Sequence, residues 1–427
     1  MARGASRPRR LRRRATPPAR RVAGEVVDIA AAGDGVLQFD GARAFAPLTA
    51  PGDAGAFDVV GTRARLVELH TESPLRAKPP CPAYGDCGGC SLQHLADGPY
   101  REWKRRRLTV AVAAAGFDPA RVGPLATFPA ASRRRATFAV SPDGRLGFNE
   151  RRGPRIVDVS PCLVLAPEIA SALAGLQARF RRVDGPFDLA VTACENGLDV
   201  DARVGAARRD AAERALLGDP DLVREPIVRV SVDGAPLIAR ETPVVRVDGV
   251  SVAPPPGGFL QAVAAAEALI AAMILDALKD ARRVADLFCG VGAFALPLST
   301  SANVYAADAD DGAIDALRRA AAGAQSAGRR PIAVERRDLF ERPLSAAELR
   351  EFDAVVIDPP RAGARAQAAA IAEARPPSVV MASCNPATFA RDARTLGEAG
   401  YDLETARPID QFRWSAHLEV CAVFRMR

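Results

Sequence analysis

A thiol stands where an apolar run stops. Val379-Val380-Met381-Ala382 reads as a buried strand, and Ser383-Cys384-Asn385-Pro386 ends it. A structural cysteine usually sits within a strand. This one is placed at the rim, where ligands of open α/β sheets bind. Carboxylates gather at the same rim. Asp286 and Asp308 each close a predicted strand, Asp338 follows a third, and Asp358 opens the loop Asp358-Pro359-Pro360-Arg361 after a fourth. The prolines stiffen that loop. Between them, Phe288-Cys289-Gly290-Val291-Gly292 turns from strand to helix, and its glycines allow close approach of backbone to a ligand. The turn is not a dinucleotide fingerprint, because Ala295 stands where its third glycine would be and Leu296 follows. A carboxylate at Asp308 can hold ribose hydroxyls, and Asp338, after the third strand, can meet the base of the same ligand.

A second set of thiols lies upstream. Cys81-x5-Cys87-x2-Cys90 is followed at a distance by Cys162. Three clustered thiolates and one distant thiolate can close a four-ligand site. Gly85, Gly88 and Gly89 let backbone N–H groups turn toward sulfur. Structural zinc more often uses two short paired motifs, so the asymmetric pattern leans toward [4Fe–4S], with zinc or no metal as the alternatives. Disulfides are disfavoured without a secretion signal. A cluster ligated at every iron has no vacant iron for substrate; it would hold the fold or shape an RNA surface. Cys194, Cys289 and Cys421 read as packing residues.

These residues need elements to position them. From residue 261 the pattern is helix 261–279, strand 282–288, helix 293–299, strand 303–308 and helix 311–326. Strands 331–335 and 353–357, helix 364–375, strand 378–383, helix 386–399 and a β-rich end follow. Such alternation predicts an α/β fold with a doubly wound parallel sheet. Residues 22–72 read instead as short β segments (VAGEVVDIA, GVLQFDG, RAFAPL, AFDVVGTRARLVELH) separated by turns, an OB-like β-barrel of the kind that often binds oligonucleotides. Residues 95–255 mix helix and strand.

The net charge of +7 is a property of the start of the chain. Residues 1–21 carry nine arginines and no acid; without them 49 basic residues face 51 acidic ones, a balance of −2. The tail has too little apolar surface to order itself; it is either a nonspecific phosphate-binding arm or a solvated tail. Within the body, residues 101–155 hold thirteen basic residues, four acids and the aromatics Tyr100 (just ahead), Trp103, Phe117, Phe128, Phe138 and Phe148. Cations with interleaved rings suit single-stranded RNA; a charged helix face over core aromatics is the alternative. No apolar run is long enough to cross a membrane, and no secretory signal opens the chain, so a cytoplasmic protein is expected.

Together CPAYGDCGGCSLQHL, DLFCGVG, DPPRAGA, SCNPATFARD and DQFRWSAHLEV resemble the RNA uracil-C5 (5-methyluridine) methyltransferases, specifically the 23S rRNA type with a TRAM domain and a [4Fe–4S] cluster. The resemblance runs from about residue 22 to 427. It implies a class I methyltransferase fold, Rossmann-like, over 256–427, a TRAM barrel over 22–76, and a central α+β iron–sulfur, RNA-binding domain over 77–255. It implies that Cys384 adds to C6 of a flipped uracil and that Glu419 removes the C5 proton. By the same resemblance Gln261, Phe288, Asp308, Asp338 and Asp358, with the backbone at Gly290 and Gly292, hold S-adenosylmethionine. Cys81, Cys87, Cys90 and Cys162 hold the cluster, and Asp410, Gln411 and His417 stand near the substrate. The family's FFQVN is GFLQAVA here, so Gln261 is retained and Val263 replaces asparagine. The expected partner is RNA, 23S rRNA ahead of the tRNA T-loop, for a monomeric enzyme with no membrane association. A cytosine-C5 methyltransferase and a noncatalytic RNA-binding factor on the same scaffold are the competing readings.

Overall fold

The computed structural model describes residues 18–427. The chain divides into two compact units, one formed by residues up to Lys78 with His94–Ala96, the other by Pro79–Gln93 and Asp97–Arg427.

The first unit is a closed barrel of five strands, ordered Arg20–Ile29, Gly35–Phe39, Ala42–Ala46, Arg63–Thr71, Ala54–Val60. Alternate residues Val22, Val26, Leu37, Ala44, Phe57 and Val59 fill it, as a period of two requires of a half-buried sheet. The segment AFDVVGTRARLVELH is not one strand but two, because Gly61 takes φ +60° and turns the chain. Most of the expected basic tail lies outside the described residues. Arg20 and Arg21 do not belong to a tail: they open the first strand and pair with Asp40 at 2.7 Å and Asp58 at 2.6 Å.

The second unit holds two large sheets. The eight-stranded sheet runs, edge to edge, Ile332–Arg336, Asn303–Asp308, Arg283–Leu287, Ala354–Ile357, Ser378–Ser383, Glu419–Met426, Tyr401–Asp410 and Ala126–Thr127. The first five are parallel. Glu419–Met426 then enters antiparallel beside Ser378–Ser383, and Tyr401–Asp410 antiparallel beside that. The expected parallel sheet is therefore a mixed one, with Glu419–Met426 as a single antiparallel strand inside it and Ala126–Thr127 parallel to Tyr401–Asp410 at the edge. Strand order reverses between Arg283–Leu287 and Ala354–Ile357, which places a binding crevice at their C-terminal ends. A seven-stranded sheet, centred on Arg135–Val140 and Phe187–Cys194, packs under helix Pro167–Phe180 around Phe138, Leu189, Val200 and Leu176.

Helix Asp97–Ala114 joins the eight-stranded sheet's core through Leu108, Ala111 and Val112. Its Tyr100, Trp103 and Lys104 are buried. Phe117 packs on Phe424 with ring centroids 5.5 Å apart, and Phe138 stacks on Phe148 at 5.0 Å. Most of the aromatics between residues 100 and 148 therefore serve cores rather than an RNA-stacking surface.

Candidate active site

The rim at the strand-order reversal opens into a cavity of about 480 Å³. Gln261, Phe288, Gly290, Asp308, Asp338, Asp358, Cys384 and Glu419 all line it. Gly292 does not. Its φ is +93°, and a Cβ there would stand 2.4 Å from Leu317, so this glycine serves packing against helix Asp311–Ser326. Val263 is also outside the cavity. It is buried at the N-cap of helix Ala264–Ala277, which has no side-chain cap.

One end of the cavity is built by strand-end loops. Asp308 Oδ2 accepts the Gly290 N–H at 2.9 Å, and its Oδ1 accepts the Asp310 N–H at 2.9 Å. Asp338 Oδ1 accepts the Phe340 N–H at 2.9 Å. Phe288 and Phe340, with centroids 5.5 Å apart, stand at this end, and Phe340 is exposed. Beneath the loop Asp286 is fully buried, and burial, then the nearby Asp358, push it up to about 8.

The other end carries the reactive groups. Ser383 pairs with Val420 in the antiparallel ladder, so Cys384 and Glu419 are the next residues across it. Cys384 is half-buried; burial first, then Glu419 and Asp358, push its thiol up to about 11, while Arg361 pulls it down. Asn385 caps helix Pro386–Glu398 by accepting the Ala387 N–H, and its Nδ2 donates to Arg361 O at 3.1 Å. The thiol is thus fixed between a strand end and a capped helix start, with Pro386 in the first turn.

Glu419 is buried, and burial then Asp358 raise its pKa well above the usual carboxylate range. Gln411 Nε2 donates to Glu419 Oε2 at 2.9 Å and to Gln261 Oε1 at 2.8 Å, and Gln261 Nε2 donates to Asp358 Oδ2 at 3.1 Å. Burial pushes Asp358 up to about 7. Glu419 Oε1 has no hydrogen-bond partner among the described residues. Glu419 lines the cavity, and a carboxylate oxygen that no protein donor occupies is available to take a proton from a bound substrate. Gln261 and Asp358 therefore join the thiol's end of the cavity through this network.

The loop from Asp410 to Glu419 is anchored from behind. Lys104 Nζ donates to Asp410 Oδ1 at 2.9 Å and to His417 O, and Tyr100 donates to Asp410 Oδ2 at 2.5 Å. Arg107 donates to Ala416 O. Lys104 is completely buried, which lowers its pKa, and Asp410 opposes that shift. Sequence reasoning places Tyr100, Lys104, Arg107 and Arg133 in a basic, aromatic run for RNA without connecting them to this site, and it does not single out Phe340 and Phe412; Arg133, Phe340 and Phe412 line the cavity. The Arg361 that closes the Asp358 motif lines it as well.

The four upstream cysteines lie near enough to act on one another electrostatically. Burial raises Cys87 and pushes Cys90 up to about 12; Cys162 and Cys81 add to both. Gly89 N–H points to Cys87 Sγ at 3.4 Å, and the Val164 and Leu165 amides serve Cys162. None is in a disulfide. Among the described residues no group of three or more His, Cys, Asp or Glu side chains is disposed to hold a metal ion. The loop is tied to its surroundings by Gly88 N–H to Asn149 O, and by Ser91 and Leu92 N–H to Trp414 O. Cys289 and Cys421 are buried, and Cys194 is half-buried. Among the described residues no helix is long and apolar enough to cross a membrane.

Comparison with known proteins agrees with this geometry. The profile of the tRNA (uracil-5-)-methyltransferase family matches residues 253–427. An uncharacterised RNA methyltransferase of Brucella suis is 42% identical over 401 residues, covering 92% of this chain and 95% of its own. A 23S rRNA (uracil(1939)-C(5))-methyltransferase of Shewanella amazonensis is 31% identical over 415 residues, covering 92% and 93%. The crystal structure of Pyrococcus abyssi tRNA (uracil-54, C5)-methyltransferase with S-adenosyl-L-homocysteine superposes with a TM-score of 0.72 at 22% identity, covering 94% of this chain and all of that one, which shows the shared α/β methyltransferase fold. The chain belongs to the RNA uracil-5-methyltransferase family and is an enzyme of that class.

Proposed function

We propose that this enzyme methylates C5 of a uridine in RNA through a covalent adduct between Cys384 and C6. The observation that carries the reading is the placement of Cys384 and Glu419 across one ladder, at one end of a cavity whose other end is ringed by Gly290, Asp308 and Asp338. S-adenosylmethionine, when bound, supplies an electrophilic methyl group. The glycine turn and the paired carboxylates at Asp308 and Asp338 fit a nucleoside donor, because they present backbone and acceptors for ribose and base.

Uracil C5 is a poor nucleophile. Addition of the Cys384 thiolate to C6 forms an Sγ–C6 bond and moves the ring's π electrons toward C5 and O4. C5 then takes the methyl group. The C5 proton passes to Glu419 Oε1, the double bond reforms, and Sγ leaves with the Sγ–C6 pair. A base inside a duplex is out of reach of this thiol, so the uridine must be flipped or unpaired.

Cys81, Cys87, Cys90 and Cys162 are the residues that would hold a [4Fe–4S] cluster. Their mutual electrostatic influence and the amides aimed at Cys87 and Cys162 support that reading.

The 31% identity to a 23S rRNA enzyme favours ribosomal RNA as the substrate. The test is methylation of total RNA from a strain lacking the gene, with labelled donor, followed by digestion. Label in 5-methyluridine that disappears with Cys384→Ala is the expected result, and fractionation of rRNA from tRNA identifies the substrate. Label in 5-methylcytidine, or none from intact wild-type protein, would overturn the proposal.

A further inference from the structure

A second cavity, of about 240 Å³, opens beside the catalytic one, and Gly88, Gly89, Phe128, Ser132 and Arg413 are among its lining residues. Arg133, Arg361, Gln411, Phe412 and His417 line both cavities. The shared wall is cationic and aromatic. Arg361 has no carboxylate partner among the described residues; its Nη2 lies 3.4 Å from His417 Nε2. That imidazole is neutral, because burial, then Arg361, push it down to about 4. Arg133 donates Nε–H to Arg135 O at 2.9 Å and lies over the Phe412 ring at 5.8 Å, with the Cys162 and Cys90 thiols near enough to act on its charge. Arg413 reaches Asp97 only at 3.8 Å. Asp410, the one carboxylate in the lining, is taken by Lys104 and Tyr100.

The Arg133 guanidinium, held in a desolvated place against a carbonyl and the Phe412 ring, is poorly compensated for lost hydration, and an arriving anion compensates it; the exposed Arg361 adds a second cation at the mouth of the same wall. The phenyl faces beside them suit a nucleobase. Because the cavities share a wall, occupants of the two are within reach of one phosphodiester link. We infer that the second cavity is the subsite for the nucleotide adjoining the target uridine, with the linking phosphate at Arg133 and Arg361 and the neighbouring base at Phe128 and Phe412. The inference rests on the RNA-methylation reading above. It also brings the cysteine loop into direct contact with substrate, because Gly88 and Gly89, between Cys87 and Cys90, and Val164, beside Cys162, form this subsite's wall.

The test uses the purified full chain and an oligoribonucleotide carrying the uridine methylated in total RNA. Matched oligoribonucleotides carry an abasic residue on one side or the other of that uridine. An abasic residue on one side is expected to raise KM about tenfold, the scale of one base–aromatic stack, with kcat little changed. Phe128→Ala should raise KM for the intact RNA similarly and add nothing on the abasic RNA, as for two partners of one contact. Phe128→Leu keeps the apolar packing but lacks the ring, and should behave the same way; unchanged S-adenosylhomocysteine binding checks that both variants fold. Equal penalties on intact and abasic RNA, or abasic residues without effect, would overturn the inference. Wild-type protein that methylates no RNA would overturn the functional reading and this inference with it.

Discussion

At one end of the catalytic cavity Gly290, Asp308 and Asp338 hang from the ends of three neighbouring parallel strands. At the other, Cys384 and Glu419 face each other across an antiparallel pair, and the loop leading to Glu419 is held from outside by helix Asp97–Ala114. The first end is made of contacts a few residues long, Asp308 to Asp310 and Asp338 to Phe340, plus one step to the adjacent strand. The second depends on hydrogen bonds that span 306 and 310 residues of chain, from Lys104 and Tyr100 to Asp410. Donor binding needs a surface that any strand-end crevice can offer. Covalent chemistry needs a nucleophile and a base fixed relative to one another, and that requires a scaffold around the loop as well as a strand beneath it.

The largest effect that separates the two ends should come from Glu419→Gln. Loss of a general base costs about 10²- to 10⁴-fold in kcat, and the amide cannot take the C5 proton. The Cys384–RNA adduct should then accumulate as a slow band on a denaturing gel, while S-adenosylhomocysteine binds as before. A variant that loses activity without trapping RNA would show that Glu419 acts before the adduct forms.

Lys104→Met should come next. Removing one partner of a buried ion pair costs about 3–5 kcal/mol, so Tm falls and kcat falls with it, with the donor's Kd least affected. Lys104→Met combined with Asp410→Leu replaces the pair by apolar groups and should recover much of the stability. It should not recover kcat, because the anchor on the His417 carbonyl is still missing. Recovery of both would mean that the helix stabilises the fold without positioning the loop.

At the donor end, Asp308→Ala removes the acceptor for the Gly290 and Asp310 amides. Hydrogen bonds to a charged group contribute about 1.5–3 kcal/mol, so the donor's KM should rise roughly tenfold to a hundredfold. Adduct formation with 5-fluorouridine RNA at saturating donor should change far less. Equal losses in both would collapse the distinction between the ends.

The same contrast explains what the sequence discloses. Strand Ser378–Ser383 and helix Asp311–Ser326 lie where the apolar periodicity puts them, because such elements are specified by their own residues. The strand-end carboxylates and Cys384 are legible for the same reason: each follows an apolar run and precedes a turn. Lys104 is not. In Arg101-Glu102-Trp103-Lys104-Arg105-Arg106-Arg107 it looks like part of a solvated basic face, and only the distant Asp410 makes its burial tolerable. Strand Ala126–Thr127 is equally hidden, since a two-residue strand pairing with Ile409 and Asp410 has no periodicity to read. Gly292 misleads in the opposite direction: a glycine in a ligand loop suggests ligand contact, but here the space it leaves is occupied by Leu317.

The smallest effect should come from Arg361→Gln, which tests how the two ends of the thiol's environment balance. Cys384 sits at about 11, so below that pH the thiolate is a minor form and its fraction rises with pH. Adduct formation measured at saturating 5-fluorouridine RNA should therefore climb from pH 6 to pH 9, less steeply once Asp358, at about 7, has ionised and added a negative charge beside the thiol. Arg361 is exposed, and its charge favours the thiolate. Removing it raises the thiol's pKa further, so the rate at each pH in that range should drop about two- to fivefold, the scale of a solvent-screened charge pair. Arg361→Lys, which keeps the charge, should restore most of the rate. A Gln variant whose pH profile overlays the wild type's would place Arg361 with the RNA phosphate alone, and leave the thiol to be activated from the Glu419 side of the ladder.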